Sequence, residues 1–83
     1  MPKVTMFALS TCPWCRKAKR YFAERGVEYS CIDYDLADEE TQKKVTAEMD
    51  SEKATGFPLV KIGDLFVHGY DPERYSELLG IDD

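Results

Sequence analysis

Val4-Thr5-Met6-Phe7-Ala8-Leu9-Ser10-Thr11-Cys12-Pro13-Trp14-Cys15-Arg16-Lys17-Ala18-Lys19 is the stretch on which the fold turns. Residues 3 to 9 mix Val, Thr, Met, Phe and Leu without regular alternation, the pattern of a short strand covered on both faces. Pro13 suits the first position of a helix, where the missing N–H would have had no intrahelical partner. Ala18, Tyr21 and Phe22 recur at i, i+3 and i+4, and Gly26 stands where a C-terminal cap belongs. A strand therefore feeds a helix over 13–25, and two cysteines separated by two residues lie at the junction.

Beyond Gly26, residues 27–35 alternate, with Val27, Tyr29, Cys31 and Asp33 on one face and Ser30, Ile32 and Tyr34 on the other. Their β-branched and aromatic members favour a second strand. Asp38-Glu39-Glu40 puts negative charge in the first turn of a second helix, continued by Val45 and Met49 at i, i+4 spacing. Residues 50–56 are polar and read as a loop. Leu59-Val60-Lys61-Ile62 and Leu65-Phe66-Val67-His68 flank Gly63-Asp64, which predicts a hairpin. Asp71-Pro72 is a helix cap followed by Pro at the first helical position, Tyr75, Leu78 and Leu79 form the apolar stripe, and Gly80 closes the helix.

The order βαβαββα gives an α/β domain with a four-stranded mixed sheet flanked by three helices. Taken together with the CxxC pair, that order points to a thioredoxin-like fold of the smallest size. At 83 residues the chain has room for a single domain, 1–83, burying roughly 60% of its unfolded surface. No basic segment with a long apolar stretch opens it, so neither membrane insertion nor secretion is expected. Three cysteines do not make an extracellular disulfide framework, and a reducing cytoplasm suits the composition.

The net charge of −5 argues against nucleic acid as a partner, since phosphate binding is driven by clustered Lys and Arg. The charge is also uneven: residues 1 to 27 carry six basic residues and one acid, Glu24, whereas residues 28 to 83 carry fifteen acids and five bases. The CxxC pair sits in the positive part.

At the N-cap of the first helix, Cys12 would meet free backbone N–H groups and the positive end of the helix dipole, which favour a thiolate over a thiol. Arg16 and Lys17, in the first turn, are the cations close enough to add to that field and tune the thiol. Cys15 lies one turn deeper and shielded, placed to attack a mixed disulfide on Cys12 from within the same site. Pro13 shapes the helix start, and Trp14 offers an apolar shelf beside the sulfur. A structural zinc site would need four ligands, and the remaining candidates, Cys31 and His68, stand at unrelated positions. No metal is assigned. Cys31, in the middle of a strand, reads as a small buried hydrophobe, and His68 as a polar strand end near the rim of the site.

Thr11-Cys12-Pro13-Trp14-Cys15-Arg16-Lys17-Ala18-Lys19 behind a strand, with Gly56-Phe57-Pro58 ahead of another, resembles the glutaredoxin family and the related redoxins that reduce ribonucleotide reductase. The resemblance extends over essentially the whole chain. It implies a dithiol oxidoreductase in which Cys12 attacks, Cys15 resolves and the two cycle through a redox-active disulfide without a bound cofactor. It implies a cis peptide bond at Pro58 facing the cysteines. Thr11, Pro13, Trp14, Phe57, Pro58, Gly69, Tyr70 and Asp71 would then contact substrate. The partners implied are disulfide-containing proteins, with a thioredoxin-reductase-type enzyme or glutathione as electron donor, acting on a monomer. Some relatives instead share an iron–sulfur cluster between two protomers with the help of glutathione, and that is the alternative role.

Glutathione-using members commonly have a Lys shortly before the first cysteine, Thr-Val-Pro at the cis-proline, and Gly-Gly with an acidic pair after the last strand. Here Leu9, Gly56-Phe57-Pro58 and His68-Gly69-Tyr70-Asp71-Pro72 occupy those places. Each lost charge-assisted bond should weaken glutathione binding by about 1–3 kcal/mol. The segment Gly69-Tyr70-Asp71-Pro72 is more similar to the ribonucleotide-reductase redoxins.

Overall fold

The computed structural model describes residues 2–81. Its elements run β1 (Val4–Ala8), α1 (Pro13–Glu24), β2 (Ser30–Asp33), a single 3-10 turn (Tyr34–Leu36), α2 (Glu39–Ser51), β3 (Leu59–Ile62), β4 (Leu65–His68) and α3 (Pro72–Leu79). The strands form one sheet in the order β2-β1-β3-β4. β2 lies parallel to β1, with Met6 opposite Cys31, and β3 runs antiparallel to both β1 and β4. This is the thioredoxin-like arrangement of four strands and three helices that the element order predicted.

Period-two alternation divides the core between the two faces of the sheet. Val4, Met6 and Ala8 of β1, Val60 and Ile62 of β3, and Val67 of β4 pack with Cys15, Ala18, Tyr21 and Phe22 of α1 and with Tyr75 and Leu79 of α3. On the other face Phe7 and Leu59 meet Val45, the sole buried residue of α2. Both faces of β1 are thus covered, which explains why its apolar residues fall on both faces instead of alternating with polar ones. The Tyr21, Phe22, Tyr29 and Tyr75 rings interlock, with the Phe22 centroid 5.0 Å from that of Tyr75 and 5.6 Å from that of Tyr29.

Each helix starts on a side chain that takes up an otherwise unpaired backbone donor. Cys12, Asp38 and Asp71 accept from the N–H groups of Cys15, Thr41 and Arg74 respectively. At the end of α1, Gly26 adopts φ +65°, a left-handed conformation that suits glycine, and Val27 N–H returns to the carbonyl of Phe22 at 2.9 Å.

The second strand is shorter than the alternation of residues 27–35 suggests. Val27 is committed to closing α1, so β2 pairs only from Ser30, and past Asp33 the chain turns into the 3-10 segment. The second helix is correspondingly longer than expected, taking in Asp50 and Ser51 before the loop. Among the described residues no helix is long and apolar enough to cross a membrane.

Candidate active site

The cysteine pair stands where β1 passes into α1. Cys12 N–H donates to the carbonyl of Leu9 at 3.2 Å, closing the turn, and Arg16 N–H donates to the Cys12 carbonyl at 3.1 Å, opening the helix. The Cys12 backbone is extended, φ −81° and ψ 119°, so its side chain folds back over the first turn and its Sγ accepts from Cys15 N–H at 3.3 Å. Cys12 is half-buried; Cys15, one turn on, has no exposed surface. All three cysteines are free thiols.

Burial foremost, and then the hydrogen bond with Cys12, pushes the Cys15 thiol up to about 12. The two sulfurs are therefore unlike: one reaches solvent at a helix N-terminus, and the other is held protonated in the core beneath it. An accessible sulfur with a second thiol one turn away can form a mixed disulfide and then be released from it.

The proline loop borders this junction. In the β1–β3 register Phe7 faces Leu59, so Pro58 falls one step beyond, beside the end of β1 that leads to Cys12. The Phe57–Pro58 peptide bond is cis and Pro58 is buried. Phe57 is half-buried, with its ring 5.8 Å from that of Tyr34. Gly69, at φ +83°, donates its N–H to the Pro58 carbonyl at 2.8 Å, which joins the loop after β4 to the loop before β3. A side chain at Gly69 would find open space, so the backbone conformation is what favours glycine there.

The aromatic shelf is built from two elements. Trp14 is 55% exposed and lies 6.2 Å from the ring of Tyr70, which in turn lies 6.2 Å from that of Tyr75. Cys12, Phe57 and Tyr70 all pack against the core cluster that contains Cys15. Of the remaining expected site residues, Thr11, Pro13 and Arg16 are exposed around the first helical turn. Lys17 is drawn over the Trp14 ring, its Nζ 4.3 Å from the centroid. Asp71 is exposed, and one of its carboxylate oxygens caps α3.

One expectation is corrected. Cys31 packs against the core cluster but is only half-buried: β2 is an edge strand, and its Sγ lies 3.7 Å from Asp33 Oδ1. Burial raises the Cys31 thiol, opposed by the charge of Lys19.

Three structural contributors have no local sequence signal. Ser10 donates from its backbone N–H to Asp35 Oδ1 at 2.9 Å and from its hydroxyl to Oδ2, tying the loop before Cys12 to the turn after β2. These bonds hold the Asp35 carboxyl below its usual range. Lys19 pairs with Asp33 at 3.1 Å and acts on the buried Cys15 through its charge. Tyr75 sends its hydroxyl to the carbonyl of Gly69. Each partner lies between six and twenty-five residues away in the chain, beyond the reach of periodicity.

Among known proteins, the family model for glutaredoxin matches residues 4–67. The glutaredoxin of Archaeoglobus fulgidus is 34% identical and superposes with a TM-score of 0.82 over 95% of this chain and 87% of its own. A glutaredoxin-like 8.6 kDa protein of the rubredoxin operon of Clostridium pasteurianum is 26% identical over 92% of this chain and 96% of that protein. The NrdH-redoxin of Escherichia coli, at 22% identity, shares the fold with a TM-score of 0.77 over 92% of this chain and 93% of its own.

Proposed function

We propose that this chain, which belongs to the glutaredoxin family, is a dithiol oxidoreductase that reduces disulfides in other proteins. The observation that carries this reading is the inequality of the two sulfurs: Cys12 half-exposed and receiving the Cys15 N–H, Cys15 wholly buried and protonated. The Cys12 thiolate attacks a substrate disulfide, one substrate sulfur leaves as a thiol, and Cys12 is left in a mixed disulfide. Cys15 then attacks Cys12 Sγ, the second substrate thiol departs, and an external donor returns the Cys12–Cys15 disulfide to the dithiol.

Cys12 Sγ is held over the first turn of α1 by the Cys15 N–H, at the positive end of the helix. Trp14, Tyr70, Phe57 and Pro58 supply an apolar seat, while the backbones of Phe57 and Thr11 offer hydrogen bonds to an extended segment of the substrate and Gly69, bonded to Pro58 and Tyr75, holds the border of that seat. The cycle needs no resident cofactor, and a reducing compartment such as the cytoplasm keeps the pair in its working form.

The electron donor we infer is an enzyme of the thioredoxin-reductase type. Leu9 and Pro72 stand where glutathione-using relatives place a cation and a carboxylate, and Asp71 is already engaged in capping α3. Insulin reduction with Cys12→Ser and Cys15→Ser variants tests the catalytic assignment: undiminished turnover in the Cys12 variant would overturn it. Turnover measured in parallel with glutathione plus its reductase and with a thioredoxin-reductase system tests the donor. Faster cycling with glutathione would reverse that choice.

A further inference from the structure

Lys19 is four residues beyond Cys15 on α1, so the two share one face of the helix. Its Nζ lies 3.1 Å from Asp33 Oδ1 across the α1–β2 interface, and the two side chains are only 28% and 27% exposed. The thiol of Cys31 approaches the same carboxylate oxygen at 3.7 Å, and Asp35 also feels the Lys19 charge. Arg16, Lys17 and Arg20 are exposed to solvent. Among the cations of α1 around the cysteine pair, Lys19 is the one that water screens least, and Asp33 fixes where its charge stands.

We propose that Lys19 is a positioning residue for the second half of the exchange: anchored by Asp33, its ammonium supports Cys15 as that sulfur becomes a thiolate and attacks the mixed disulfide. This rests on the reading of Cys15 as the resolving thiol. The step is Cys15–SH plus Cys12–S–S–R giving the Cys12–Cys15 disulfide plus R–SH. The Cys12–substrate bond breaks, the new S–S bond forms, and the proton lost by Cys15 is taken up by the departing sulfur through solvent. Lys19 exchanges no proton.

The groups that face Cys15 assign this role by elimination. They are Cys12 at the helix N-cap, the backbone of Leu9 ahead of it, Lys19 on its own helix and Tyr75 on α3; the Leu9 backbone also favours the thiolate but carries no net charge. In the mixed disulfide Cys12 carries no charge, and the Tyr75 phenol is neutral, held above its ordinary range by burial. Lys19 is left as the charge that favours ionisation of a thiol otherwise disfavoured by burial. Burial also works against the charge of Lys19, but its hydrogen bond to Asp33 and the neighbouring Cys31 and Asp33 outweigh that and keep it protonated.

The test is stopped-flow reduction of a chromogenic nitrobenzoate disulfide by the intact, reduced protein. Attack by Cys12 releases a first coloured thiolate, and attack by Cys15 releases the second. Lys19→Met should leave the first phase within about twofold, slow the second about tenfold at neutral pH and displace its pH profile upward by about one unit. Lys19→Arg should restore the second phase, and Lys19→Gln stands in for the Met variant if that one fails to fold. Equal slowing of both phases, an unchanged second phase, or an Arg variant as slow as the Met variant would overturn the assignment. A wild-type second phase that survives in Cys15→Ser would instead remove Cys15 as the resolving thiol, and the role of Lys19 with it.

Discussion

The hydroxyl of Tyr75 donates to the carbonyl oxygen of Gly69 at 2.6 Å. Since Gly69 N–H donates to the Pro58 carbonyl at 2.8 Å, this one glycine links α3 to the loop that borders the cysteines. Burial holds the Tyr75 phenol above its usual range, so it remains a donor at any working pH. Tyr75→Phe keeps the ring in the core but leaves the Gly69 carbonyl without that partner. A loss of about 1–2 kcal/mol is expected, measured as a lower urea midpoint with unchanged m-value.

Reduced Cys15 should make stability depend on pH in the alkaline range. Its thiol titrates at about 12 in the folded chain against an ordinary value of 9.0. The folded state therefore prefers the protonated form, and the resulting stabilisation is complete below about pH 9 and lost as pH rises toward 12. The stability difference between reduced wild type and Cys15→Ala should hold constant up to about pH 9 and narrow from there to pH 11 in urea titrations. A constant difference across that range would contradict the burial effect.

Phe22 has no exposed surface and meets three other aromatic rings. Phe22→Ala should cost about 3–5 kcal/mol. A domain of this length has a total stability of about 4–12 kcal/mol, so the variant should stand at or near its unfolding threshold. Circular dichroism during a urea titration checks this, with Phe22→Leu expected to retain most of the stability.

Trp14 is largely exposed and is steadied by the Tyr70 ring beside it and the Lys17 ammonium over its own ring. Trp14→Ala should lower kcat/KM for a protein disulfide by about three- to tenfold, the loss of one interface aromatic. Turnover of a small disulfide should change less than twofold. An equal loss on both substrates would assign Trp14 to the chemistry of Cys12 instead of to docking.

Local chemistry made much of this molecule readable in advance. Cys12-Pro13 starts a helix as written, Gly63-Asp64 makes the hairpin, and Asp71-Pro72 caps α3. Where the reading stopped short, a distant partner had taken over the backbone or the side chain. Val27 looks like strand, yet its N–H belongs to Phe22 and the end of α1. Cys31 looks like core until Asp33 and, from another element, Lys19 surround its sulfur. Tyr75 read as one member of an apolar stripe; its hydroxyl bond to Gly69 depends on a loop whose path the stripe does not encode.

The hairpin turn at Gly63 and Asp64 sits at the far end of the sheet from the cysteines. Gly63 is bonded to Lys3 near the start of β1, and the register runs from Val4 opposite Ile62 to Phe7 opposite Leu59. Five residue steps of about 3.3 Å each along the strand separate Gly63 from Pro58, and both turn residues are exposed. The molecule therefore has a working end and a handling end: a fluorophore, a surface tether or an inserted tag at Asp64 would leave the thiol face clear.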